Sequence, residues 1–402
     1  MRAHAYKGLA CWLWFTITGL CGVSLAQSWI QTSTPTNDWL GVACSADGRK
    51  LVAVAYGDGI YTSTNSGATW DRTSAPSNVW HCVVSSADGQ KLVAAAGGSS
   101  FPFFGAVLGT IFMSTNAGLS WSESSAPINY WNRLACSGDG SRIIAAANGS
   151  IYWSSDSGAN WVLANAPSYG WTAIAGSADG KKLAVVDFSY RSYLSIDFGA
   201  NWTETMAPPG VYETGLASSA DGSRLIAGSH DPFHPYYGNI SISTNAGITW
   251  TSTGVSGRGA VASSADGSIL LAVEAAGYLY PGALVISTNF GQTWSDTDAP
   301  ILNWTSLAAS ADGHRLIAAS KDGGIYASQS APKPLLNIEK AESNCLISWI
   351  VPSHYFALQE QSQLSPSAWD YPAASPVLNK SNLRYELILP KTTATHFYRL
   401  KD

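Results

Sequence analysis

Asp187 and Glu274 are the carboxylates whose placement could do chemistry. Each stands eight residues after the Asp of a Ser-x-Asp-Gly turn, where the other copies of the turn are followed by Ala55, Ala96, Ala147, Ser229 and Ser320. Two carboxyl groups about 5 to 10 Å apart across one cleft can cleave a glycosidic bond, one as acid and the other as base or nucleophile. Without a shared cleft they are solvated or hydrogen-bonded strand ends. Eight residues before the same Asp the chain carries Trp39, Trp80, Trp131, Trp171, Glu213, Arg258 and Trp304. Five indoles interrupted by a neighbouring Glu and Arg would make an aromatic platform with a polar notch, suited to a sugar or a peptide. The same recurrence suits indoles wedged between repeats, with Glu213 and Arg258 as a salt bridge. An insertion adds His230, Tyr236 and Tyr237 as ligand-binding candidates. His230 and His234 have a four-residue spacing, but Pro232 between them forbids the helix that would align them on a metal. No metal site is expected. There is no HExxH, no glycine-rich phosphate loop and no nucleophile elbow, and no cofactor is implied.

These positions acquire meaning from an internal repeat. The Ser-x-Asp-Gly turn occurs seven times, with its Asp at Asp47, Asp88, Asp139, Asp179, Asp221, Asp266 and Asp312, spaced 40 to 51 residues apart. Gly after Asp permits the positive φ of a tight hairpin. Four residues on comes a short apolar run, such as Leu51-Val52-Ala53-Val54 or Ile143-Ile144-Ala145-Ala146. Runs this short between glycine-rich turns predict buried strands. A second signature, S-x-[DN]-x-G-x-x-W, runs from Ser63 to Trp70 and recurs up to Trp121, Trp161, Trp202, Trp250 and Trp294. Its Asn or Asp oxygen can bond nearby backbone N–H groups and its Trp can pack on the turn, which makes it a structural clip.

Each repeat therefore predicts four strands, and repeats of this length predict the blades of an all-β, seven-bladed β-propeller. The seventh repeat lacks the second signature. Its outer strand is found at the other end of the chain, where Ser28 to Pro35 matches Thr69 to Pro76 position for position. The N-terminal strand is thus expected to close the propeller and cover an open edge. The two turn signatures fall on one face. The other face carries the irregular insertions: Gly97 to Gly109 with Phe101, Phe103 and Phe104, His230 to Tyr237, and Tyr278 to Pro281. Variable loops gathered on one face of a rigid scaffold mark the expected binding face.

The second signature resembles the Asp-box of BNR-repeat, sialidase-like propellers, and the resemblance covers roughly residues 28 to 330. Strand spacing looks most like the photosystem II assembly-factor propellers and secreted bacterial relatives; the wider group includes xyloglucan-cleaving hydrolases and sortilin-type receptors. A sialidase would imply an arginine triad, a Tyr nucleophile with a Glu partner, an Asp acid and a Phe/Tyr-Arg-Ile/Leu-Pro motif. That motif is absent, and the loop-bearing side offers only Arg133, Arg191 and Arg258, so no catalytic residue is carried over.

A formal net charge of −5 with 12% charged residues excludes a phosphate-binding nucleic-acid surface and a polybasic membrane patch. Residues 1–26 read as a secretory signal: basic Arg2 and Lys7, an apolar Leu9 to Leu25, and Ser24-Leu25-Ala26 before the cleavage point. Residues 27–331 form the propeller and 332–402, after a Pro332-Lys333-Pro334 linker, a small β-sandwich-like module. Cys44, Cys82, Cys136 and Cys345 show no metal spacing and are expected as buried free thiols. The expectation is a secreted scaffold (periplasmic, cell-surface or extracellular) that binds a glycan or protein through the loop-bearing face, without membrane insertion. The alternatives are a sialidase-like or other glycoside hydrolase and an assembly factor for a membrane protein complex.

Overall fold

The computed structural model describes residues 28–402 apart from 99–106, 168–169, 188, 190, 207–212, 231–237, 275–280, 322, 330–336, 342–343, 351–356, 362–369, 371, 380–383, 391–396 and 402. The signal segment, the Pro332–Pro334 linker, Tyr236 and Tyr237 lie outside the described residues. Seven antiparallel blades follow one another along the chain. Blade 1 runs Trp39–Cys44, Leu51–Ala55, Ile60–Ser63 and Asp71–Arg72, from the innermost strand outward. The second strand is buried along its length in blades 1 to 4. Its Val, Leu, Ile and Ala alternate between two inter-blade cores: Leu51, Ala53 and Ala55 face blade 7, while Val52 and Val54 face blade 2. A strand covered on both faces reads as a continuous apolar run, because neither side meets water.

Blade 7 takes its outer strand from the N-terminus. Trp29–Gln31 pairs antiparallel with Ile325–Gln329, with Trp29 opposite Ser328 and Gln31 opposite Tyr326. Trp29 packs beside Trp304 at 6.5 Å between ring centroids. Closure is also made at the axis. In each Ser-x-Asp-Gly turn the x residue donates its N–H to the x carbonyl of the next blade: Ala46 to Ala87, Ala87 to Gly138, Gly138 to Ala178, Ala178 to Ala220, Ala220 to Ala265, Ala265 to Ala311, and Ala311 back to Ala46, all at 2.7–2.8 Å. Seven hydrogen bonds thus form a closed circle. The turn residue's side chain is too small to obstruct it. Lysine and arginine stems lie over the neighbouring turn, and Lys50, Lys182 and Arg315 donate to the carbonyls of Asp88, Asp221 and Asp47.

Both turn types are clipped by serine. Ser45 Oγ donates to Asp47 Oδ1 at 2.6 Å while Asp47 Oδ1 accepts the Arg49 N–H. In the second turn Ser63 Oγ accepts the Gly67 N–H and Asn65 Oδ1 accepts the Thr69 N–H. The residue before that glycine adopts positive φ in six copies, 58° to 64°, which makes Gly necessary at the next, also left-handed, position.

After the propeller the strands Asn337–Ala341, Asn344–Ile350, Val377–Asn379 and Arg384–Pro390 form one sheet, and Ala357–Gln361 with Phe397–Lys401 a second. Ile347, Leu387 and Leu358 join the two in a small core.

Candidate functional site

The loop-bearing face is where the inner strands begin. Trp39, Trp80, Trp131, Trp171 and Trp304 start the inner strands of blades 1, 2, 3, 4 and 7, each opposite Ala55, Ala96, Ala147, Asp187 or Ser320 and each followed by a β-bulge. The expected aromatic platform is corrected here. These indoles are 0–6% exposed and present no ring face to a ligand. Each lies against the second and third strands of the preceding blade, as Trp80 does on Val52, Val54 and Ile60. The residue opposite is Ala or Ser in four of the five blades, and in blade 4 the buried Asp187.

A partner position completes each wedge and was not singled out in the sequence. Tyr61, Phe112, Tyr152, Tyr193 and Tyr326 on the third strands meet these indoles edge-on, with centroids 5.2–5.7 Å apart. Blades 5 and 6 have neither half of the pair. The position opposite Ala227 is Ser241, and the one opposite Ala272 is Val285. A signal was present: the aromatic stands two residues before the Ser of the second turn in blades 1 to 4, and fails where the Trp fails.

The loss of both rings changes the junction between blades 5 and 6. Their inner strands, Glu213–Ser218 and Gly257–Ser263, approach until Thr214 and Gly259 form a parallel bridge. Glycine permits the approach: a Cβ added to Gly215 would lie 2.0 Å from the Gly259 carbonyl oxygen, and one on Gly228 2.7 Å from it. Glu213 and Arg258 immediately precede the bridged pair, so the backbone brings them to matching positions on neighbouring strands. His230 stands directly opposite Glu213 on the adjacent strand. The side chains of Glu213, Arg258 and His230 lie outside the described part of the structure.

Asp187 and Glu274 receive separate surroundings. Asp187 is buried, and its Oδ1 accepts the N–H groups of Ser189 and Arg191 at 2.8 and 2.9 Å, capping the hairpin between the second and third strands of blade 4. Glu274, opposite Gly257 and Ala283, is raised in pKa by burial and then by the charge of Asp296 in its own blade. No described contact joins the two carboxylates. A further polar pair sits at the same mouth: Arg133 Nη1 donates to His81 Nε2 at 3.1 Å across blades 3 and 2. The sequence marked Arg133 but not His81. On the opposite face a crevice between blades 3 and 4 is lined by Cys136, Ile144, Trp153 and Phe198, with the Arg142 guanidinium 3.5 Å over the Phe198 ring. The described cysteines are free, and burial pushes the Cys44, Cys82 and Cys136 thiols up to about 12.

No protein-family model matches the chain, and no curated protein matches it. Solved structures do. A family GH74 xyloglucanase from Xanthomonas campestris superposes with a TM-score of 0.57 at 16% identity, covering 81% of this chain and 59% of that one. The chain thus spans well under two thirds of the xyloglucanase. YCF48 bound to D1 peptide superposes with a TM-score of 0.55 at 16% identity, covering 76% of this chain and 97% of that one. YCF48 from Cyanidioschyzon merolae gives 0.55 at 13% identity, over 75% and 98%. At such identities the likeness shows the seven-bladed propeller fold.

Proposed function

We propose that this chain is an exported binding scaffold that holds a polypeptide segment at the loop-bearing mouth of the propeller. The observation that carries the reading is the break in the wedge pattern. Five junctions are sealed by a Trp and an aromatic partner; blades 5 and 6 have neither, and there the backbone juxtaposes Glu213 and Arg258 in the two blades that also carry insertions between their second and third strands. A fold that departs from its own repeat does so where function outweighs packing. Burial takes the five indoles out of reach of a stacking sugar, while the paired Glu213 and Arg258 positions suit the charged and amide groups of a polypeptide. Similarity to YCF48 bound to D1 peptide agrees with this and is a likeness of fold.

The test is capture of peptides and glycans, arrayed in parallel, by the secreted protein and by a Glu213→Ala, Arg258→Ala double variant. Peptide capture that the double variant loses while keeping its thermal midpoint supports the reading. Capture of glycans alone, or release of reducing ends from xyloglucan by the wild type, would replace it with the carbohydrate reading.

A further inference from the structure

His81 and Arg133 are departures from the repeat that meet each other. The residue after the Trp register is Leu40, His81, Asn132, Thr172, Thr214, Gly259 or Thr305, so histidine occurs in blade 2 alone. The next position is Gly41, Cys82, Arg133, Ala173, Gly215, Ala260 or Ser306, small in every blade except blade 3. A blade of this propeller therefore needs no arginine there. Yet Arg133 crosses to blade 2 and fixes both hydrogens of one nitrogen: Nη1 donates to His81 Nε2 at 3.1 Å and to the Asn132 carbonyl at 2.9 Å.

The acceptors decide the charge state. Guanidinium only donates, so His81 Nε2 must accept, and the imidazole proton sits on Nδ1. Burial first, and the charge of Arg133 second, lower the His81 pKa to about 3, so the ring is neutral at physiological pH. The Arg133 charge is thus held by two neutral acceptors. Among the described residues the one ion pair joins Arg72 to Asp58, and no carboxylate neutralises Arg133. Its Nε and Nη2 hydrogens have no described acceptor, and they form the side-on edge that matches the two oxygens of a carboxylate. A cation pinned in orientation, with its bidentate edge unspent, is preorganised for an anion rather than spent on the fold. Its place agrees. Gly98 and Val107 exchange hydrogen bonds at the base of the blade 2 insertion, and a Cβ added to Gly98 would lie 3.2 Å from His81 Cγ. The pair therefore lies at the root of a loop on the binding face.

We infer that Arg133, oriented by His81 and the Asn132 carbonyl, is a carboxylate-binding site that anchors an acidic side chain or the C-terminus of a polypeptide ligand. The inference rests on the polypeptide-binding reading above and adds the chemistry of one contact. A carboxylate meeting that edge gains two charge-assisted hydrogen bonds; an amide of the same shape loses one and the charge of both.

The experiment uses an array of peptides in which each Asp, Glu and free C-terminus is matched by its Asn, Gln or amide isostere, probed with the mature protein. Carboxylate peptides are expected to be captured roughly tenfold or more above their isosteres. Arg133→Gln is expected to abolish that preference, and Arg133→Lys, which keeps the charge and loses the flat edge, to retain part of it. Acetate should compete in the wild type where acetamide does not, a measurement independent of any variant's folding. Peptides captured equally with their isosteres, or an unchanged preference in Arg133→Gln, would overturn the carboxylate anchor and leave peptide binding standing. No peptide captured at all overturns both readings. Acidic oligosaccharides captured in place of peptides overturn the polypeptide assignment.

Discussion

Trp131 shows what a single side chain does here. Its indole is fully buried between blades 2 and 3, edge-on to Tyr152 and beside Trp161. Trp131→Ala should cost about 3 to 5 kcal/mol, because so large a cavity cannot collapse between two stiff sheets. Chemical denaturation would measure it; a cost below about 1 kcal/mol would mean that the indole is not a wedge. The turn aspartates set a pH limit. Asp139 and Asp221 are held at about 2, foremost by the hydroxyls of Ser137 and Ser219 and then by the N–H and hydroxyl groups of Ser141 and Ser223. A carboxyl with a folded pKa below its unfolded value of about 3.9 stabilises the fold above that value and loses the contribution as pH falls through the folded pKa. The thermal midpoint should therefore hold steady from neutrality to about pH 4 and decline from about pH 4 to about pH 2. Asp139→Asn with Asp221→Asn should flatten the decline, and an unaltered slope would remove these turns as its cause.

The informative elements are the strands of blades 5 and 6. Where a Trp and a Tyr would separate blades, glycines let the inner strands bond directly. Gly215→Ala places a methyl group against the Gly259 carbonyl, so either the bridge opens or the strands bend. An overpacked site of this kind should cost about 1 to 3 kcal/mol. If thermal unfolding of Gly215→Ala matches the wild type, the bridge is not a rigid seam. The N-terminal strand is a second such element. Trp29 packs on Trp304, and Thr32 bonds Ile325 through both its N–H and its hydroxyl. Trp29→Ala should cost about 3 kcal/mol despite lying near a chain end, because it loosens the strand that closes blade 7. Differential scanning calorimetry reads this directly, and an unshifted midpoint would show that blade 7 is held without its outer strand.

At the scale of the whole molecule, closure is made twice. The N-terminal strand completes blade 7 at the rim, and the circle of seven turn-to-turn hydrogen bonds completes the ring at the axis. Each bond of the circle joins one blade to the next, so each depends on the geometry of both. That rigid ring is what allows the opposite face to vary. Long loops and irregular positions gather where strands two and three are linked, while the turns that close the circle repeat almost unchanged in all seven blades.

The order of amino acids alone set the number of blades, the four strands in each, the faces on which turns and loops fall, and the origin of the last outer strand. These are legible because they rest on local rules: hairpin residues, short apolar runs and a fixed spacing. It also marked the positions that break the repeat: Glu213, Arg258, Asp187 and Glu274. Tertiary structure decided what those positions do. The Trp register could serve a platform or a wedge equally well, and only the packing between blades, with the aromatic on the third strand meeting each ring edge-on, shows the indoles turned inward. The spacing of Asp187 was equally silent on its neighbours; it caps its own hairpin. His81 went unread because a lone histidine carries no pattern along the chain. It acquires a role only when the bulged inner strands of two neighbouring blades set it against Arg133, and contacts between blades are written in no single repeat.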